Sequence, residues 1–120
     1  MLDELVKNRL YQSVYIVKLT SGELLVGLVI NRTEMGISLY FPYELDNVLT
    51  SYCEYSFDRR FEVGLYNCVF IKRPSIDVCD QFFEAVMTDS TDEFRDFVMM
   101  LSVQTLSESV AEPSTTTFLH

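Results

Sequence analysis

Residues 14–39, VYIVKLTSGELLVGLVINRTEMGISL, carry the densest pattern in the chain: three strand-like runs separated by two short polar turns, with glycines at positions 22, 27 and 36. The first run puts Tyr15, Val17 and Leu19 on one face and Val14, Ile16 and Lys18 on the other, and its β-branched and aromatic residues favour a strand. Ser21-Gly22 fits a two-residue hairpin, where glycine accepts a backbone conformation closed to most residues. The second run is apolar on both faces, with Leu25 and Val29 beside Gly27 on one and Leu24, Val26, Leu28 and Ile30 on the other. A strand of that kind is covered on both sides. Gly27 sits inside the run, where glycine costs conformational entropy, so it predicts a bend or a close backbone approach. Ile37, Leu39 and Phe41 then alternate along a third strand that Pro42 is expected to end.

Working outward, residues 2–11, LDELVKNRLY, place Leu2, Leu5, Val6 and Leu10 on one helical stripe. Asp3 and Glu4 come early and Lys7 and Arg9 late, which suits the helix dipole. Residues 44–60 mix Val48, Leu49, Tyr52, Tyr55 and Phe57 with charges at no sustained period, and are expected to form an inserted loop with an extended arm at 52–56. Two further strands, 61–66 and 68–71, flank a turn near Tyr66-Asn67, and Lys72, Arg73 and Pro74 end the second, which brings the expected total to five strands. After Pro74 the period becomes helical, with Ile76, Cys79, Phe83, Val86 and Met87 on one face. Ser90-Thr91-Asp92-Glu93 then supplies a capping box before a second helix with Phe94, Phe97, Val98 and Leu101 inward. From Ser107 the chain is Ser/Thr-rich without apolar period and is expected to be mobile. The expected organisation is a sheet unit at 1–74, an acidic helical extension at 75–106 and a tail at 107–120.

A chain of 120 residues makes one domain, and size scaling lets it bury roughly 60–70% of its surface, so a partner subunit would add stability. Hydrophobic residues make up 48%, enough for a core. No apolar run approaches the roughly 20 residues of a membrane span, and residues 1–10 lack a signal peptide's order, so a cytoplasmic location is expected. Cys53, Cys68 and Cys79 form no C-x-x-C pair, and free thiols are expected. His120 is the only histidine, which removes the usual imidazole base, and neither Walker nor GxGxxG spacing occurs. Asp77, Asp80 and Glu84 share a helix flank that reads as a solvated face. No enzyme activity, cofactor or metal is expected. The net charge of −9 is uneven: residues 1–74 hold eight of nine basic and nine of eighteen acidic residues, a balance of −1, while 75–120 carry −8.

Gly22 followed five residues later by Gly27, with apolar residues at Tyr15, Val17, Leu19, Leu25, Val29, Ile37 and Leu39, resembles the first sequence motif of the Sm-like family. VGLYNCVFIKRP, residues 63–74, resembles the second, with Val69, Phe70 and Ile71 in its strand. The resemblance spans roughly residues 2–74. The acidic composition, the insert and the helical extension are closest in kind to the diverged Sm-like proteins of bacterial viruses. It implies a mainly β fold, a strongly bent five-stranded antiparallel Sm-like (SH3-like) barrel behind an N-terminal helix. It further implies a homo-oligomeric ring of five to seven subunits that binds single-stranded RNA or acts as an RNA chaperone. The family's RNA loops carry an Asp, a stacking residue and an Asn, with an Arg before the second glycine. Here Arg32 or Thr33 stands near the Asp, Met35 at the stacking position, Gly36 at the Asn and Val63 at the Arg. Arg32, Met35, Gly36, Tyr66 and Asn67 are the candidate RNA-binding residues, Arg32 and Tyr66 by stacking or phosphate contact and Asn67 by a base-edge hydrogen bond. The lost Asn and Arg leave an alternative, a ring-shaped interaction or scaffolding module that docks other proteins on its acidic C-terminal helices and does not bind RNA.

Overall fold

A computed structural model of the protein describes residues 2–46, 48–52 and 60–119, with side chains placed for 4–46, 48–52, 60–105 and 107. Helix α1 (Leu2–Gln12) buries Val6 and Leu10, and Ser13 closes it by donating its hydroxyl to the Arg9 carbonyl at 2.6 Å. Six strands follow: β1 (Val14–Leu19), β2 (Leu24–Arg32), β3 (Gly36–Leu45), β4 (Leu49–Ser51), β5 (Arg60–Gly64) and β6 (Cys68–Lys72), the last two joined by a 3-10 turn at Leu65–Asn67. Helices α2 (Ile76–Asp89) and α3 (Thr91–Leu119) complete the order. All ladders are antiparallel, in the order β4-β3-β2-β1-β6, with β5 also paired to β3.

Both faces of this sheet are covered, which is why β2 is apolar throughout. On one face Val14, Val26, Leu28, Phe41 and Tyr43 pack with Val6 and Leu10 of α1, Cys79, Phe82 and Val86 of α2, and Phe94, Phe97 and Leu101 of α3. On the other, Val17, Leu19, Leu25, Ile37, Leu39 and Val63 form a second cluster joined by Phe61 from β5 and Ile71 from β6. Strands at opposite ends of the order share that cluster, so the sheet is curled. No ladder joins β5 to β6 among the described residues, and the curl stays open. Each fully buried Val or Leu adds roughly 1.5–3 kcal/mol relative to exposure.

The curl has a local cause where β3 passes Gly27. Between the pairs Val26↔Tyr43 and Leu28↔Tyr40, β2 spends one residue, Gly27, where β3 spends two, Phe41 and Pro42. Such a bulge bends the strand that carries it. A Cβ on Gly27 would lie 2.8 Å from the Leu39 side chain and 2.9 Å from the Tyr40 carbonyl, so only glycine fits. Phe41 takes φ 53, a conformation that costs a non-glycine residue about 1–3 kcal/mol. Its ring is held edge-on against Phe94 and Phe97, each 5.5 Å away.

Pro42 therefore does not end β3, as the sequence predicts, but marks its corner. Before the corner β3 pairs with β5 (Gly36↔Gly64 to Tyr40↔Arg60), and after it with β4 (Tyr43↔Ser51 to Leu45↔Leu49). At the bulge a missing N–H removes no ladder bond, and the Pro42 carbonyl still accepts from Tyr52 N at 2.9 Å. Within the expected insert, 44–60, Glu44 and Leu45 thus continue β3 and Leu49–Ser51 form a sixth strand; most of the arm expected at 52–56, and Cys53, lie outside the described residues.

The helices arrive where Pro74 and Ser90 announce them. Ser75 caps α2, its hydroxyl accepting from Val78 N at 3.3 Å. Cys79 and Val86 of the predicted α2 stripe are buried, but Phe82 takes the buried place expected for Phe83, and Ile76 and Met87 stand 74% and 57% exposed. Phe83 sits at the edge, 5.0 Å from the Tyr11 ring. In α3 the inward residues are as expected, Phe94, Phe97 and Leu101 buried and Val98 partly so. Thr91 directs its hydroxyl back to the Met87 carbonyl at 2.5 Å. The α3 backbone is helical through 107–119, where the composition predicts a mobile tail. His120 lies outside the described residues. No helix among the described residues is long and apolar enough to cross a membrane.

Candidate nucleic-acid interface

At one tip of the sheet the β2–β3 turn and the β5–β6 turn meet. Thr33 organises the first: its N–H donates to the Gly36 carbonyl at 2.9 Å, and its hydroxyl accepts from Met35 N at 3.3 Å and Gly36 N at 3.2 Å. This side-chain-closed turn leaves Met35 78% exposed. The Met35 carbonyl in turn accepts from Leu65 N at 3.0 Å, which joins the two turns.

Glycine is required where they touch. A Cβ on Gly36 would sit 2.2 Å from the Val63 carbonyl, and one on Gly64 would reach the Tyr66 ring at 3.1 Å. The Tyr66 ring therefore lies back over Gly64 while remaining 82% exposed. Arg32 closes the first turn opposite Ile37 and stands near enough to Cys68 to pull its thiol downward, against burial, the larger effect, which pushes it up. The Asn67 carbonyl accepts from Thr20 N at 2.9 Å, which fastens that end to the β1–β2 turn.

Of the five candidate residues, then, Arg32, Met35, Gly36 and Tyr66 come together at this tip. Asn67 adjoins them through the chain but is fastened on the β1 side. A cavity of about 330 Å³ opens beside them, lined on its polar side by Asn31, Thr33, Ser38 and Glu62 and on its apolar side by Met35 and Val63. Sequence reading did not single out Asn31, Ser38 or Glu62. Ser38 and Glu62 carry the signal of alternation, each a polar residue between apolar neighbours within a strand, whereas Asn31, between Ile30 and Arg32, carries none.

A second cavity, about 250 Å³, lies between the β1–β2 turn and β5, where Tyr52 donates its hydroxyl to Glu23 at 2.9 Å. Hydrogen bonds from Ser21, first, and Tyr52 hold the Glu23 carboxyl below its usual range. Of the helix-flank carboxylates, Asp80 accepts from the Tyr11 hydroxyl at 2.9 Å, tying α1 to α2. Among the described residues no three His, Cys, Asp or Glu side chains are grouped to hold a metal ion. What the tip offers chemically is an aromatic face, a thioether and a guanidinium, exposed together on hydrogen-bonded turns. No protein-family model and no curated protein matches the chain.

Proposed function

We propose that the chain is a diverged Sm-like protein whose curled sheet acts as a small barrel, assembles into a ring of five to seven identical subunits, and binds single-stranded RNA at the Arg32–Met35–Tyr66 tip. One observation carries the RNA part: Met35 and Tyr66 are large apolar side chains left 78% and 82% exposed on turns that are hydrogen-bonded to each other. Exposed aromatic faces on a rigid platform stack on unpaired bases, and a neighbouring guanidinium adds cation–π or phosphate contact. Ring assembly is supported by the outer edges of β5 and β6, which no strand pairs among the described residues and which invite a neighbouring strand, and by Val69 on β6, 61% exposed at the bulge where the β1–β6 register shifts.

Because the chain carries −9 overall and the tip supplies few cations, affinity would come mainly from stacking, and salt would weaken it only mildly. Titration of labelled U-rich and A-rich oligonucleotides at 50 and 200 mM salt tests this. Binding that falls about tenfold in Tyr66→Ala and weakens in Arg32→Ala supports the reading. Absence of binding at low salt would favour the scaffolding alternative, which the exposed Met87, Met99, Met100 and Val103 on the acidic helices support.

A further inference from the structure

We infer that the cavity beside the tip is a base subsite that selects guanine over uracil, with the Glu62 carboxylate as the selecting group; the inference rests on the RNA reading above. The cavity's polar wall is a row across three strands: Asn31 at the end of β2, Ser38 on β3 and Glu62 on β5. Ser38 and Glu62 are direct cross-strand partners, the next pair on their side of the ladder, Gly36↔Gly64, has no side chains, and Met35 completes the lining. Thr33, the other hydroxyl there, is occupied by its own turn. At about 330 Å³ the cavity lies at the small end of ligand-sized sites, roughly 300–1,000 Å³. It suits one planar base inserted beyond a stacked neighbour.

The selection follows from donor and acceptor patterns. An ionised carboxylate only accepts hydrogen bonds, and its two oxygens accept best from two parallel donors. Guanine presents such a pair, N1–H and N2–H, on its pairing edge. Its O6 acceptor lies next to them, within the chemistry of the Ser38 hydroxyl and the Asn31 amide. Uracil offers one donor flanked by two carbonyl oxygens that the carboxylate repels. Adenine and cytosine each set one amino donor beside a ring-nitrogen acceptor. Arg60, 3.6 Å from Glu62, offsets part of the carboxylate's repulsion of the RNA backbone while leaving the Glu62 side chain 68% exposed. Selection by a carboxylate differs in kind from the Asn and Arg base contacts that this chain lacks.

Fluorescence anisotropy with the full-length protein at 100 mM salt tests it, using labelled UUUGUUU, UUUAUUU, UUUUUUU and an inosine version of the first. The expected result is that UUUGUUU binds about tenfold tighter than UUUUUUU, that inosine loses most of that advantage because it lacks the N2 amino group, and that the preference falls below about twofold in Glu62→Gln. The inosine comparison uses the unmodified protein, so it stands even if Glu62→Gln fails to fold. Equal affinity for all four oligonucleotides overturns the subsite and leaves RNA binding intact. No binding to any of them at 50 mM salt overturns the RNA reading, and the subsite with it.

Discussion

At the scale of single residues, two glycines that look alike in sequence are required for different reasons. Gly22 has φ 111 and open space around it, so Gly22→Ala costs backbone strain alone, about 1–3 kcal/mol. Gly36 has ordinary backbone angles but no room: a Cβ there meets the Val63 carbonyl, and the β3–β5 ladder must open to admit it. Urea unfolding is expected to show Gly36→Ala as the more damaging change, by more than about 3 kcal/mol, and to show it also lowering oligonucleotide affinity because it spreads the two turns. The need for Gly22 was legible as Ser-Gly between two strand patterns. The need for Gly36 was not, because the atom it avoids lies 27 residues further along the chain. The same separation hid Glu62 from sequence reading, while Arg32, Met35 and Tyr66 were visible as turn residues next to strands.

Among elements, α2 shares with α1 and α3 the covering of one sheet face. Phe82, with no exposed surface, meets the Tyr43 ring edge-on at 6.0 Å, and Tyr43 donates its hydroxyl to Asp89 at 3.0 Å. Phe82→Ala is expected to cost about 3–5 kcal/mol in chemical unfolding, whereas Ile76→Ala, on the exposed side, is expected to stay within about 0.5 kcal/mol. The Tyr11–Asp80 hydrogen bond between α1 and α2 carries a pH signature. Asp80 raises the Tyr11 hydroxyl above its ordinary value, first through the hydrogen bond and then through its charge. The raised value means the bond's contribution is fully present below the unfolded-state value near 10.0 and is lost as pH rises through the folded-state one. Tyr11→Phe is therefore expected to be slightly less stable than the parent at pH 7, with the difference closing at strongly alkaline pH, as read by urea midpoints along a pH series. Helix existence was clear from period and caps. The inward face of α2 was not, because Phe82 and Phe83 are about 100° apart on the helix and either could face the core until the sheet is in place.

For the whole molecule, the curled but open sheet has a thermodynamic consequence if copies close each other's edges. Association stabilises the folded state by mass action, so Tm is expected to rise by several degrees between about 1 and 100 μM protein, with light scattering returning a mass of five to seven subunits. A monomer of constant Tm over that range would remove the ring. By itself, the sequence determined the order of elements from α1 through the first three strands to the two helices, the hairpin at Gly22, the close approach at Gly27 and the division of charge between sheet and extension. Each of these follows from local conformational preference or from alternation within a few residues, which the chain carries without knowing its neighbours. Only the tertiary structure decided that Pro42 turns β3 instead of ending it, that residues 49–51 add a sixth strand, that Phe82 faces the core, and that Met35, Ser38 and Glu62 border one cavity. Those outcomes depend on which strand lies opposite which, and pairing between residues far apart in the chain is set by the packing of both sheet faces at once.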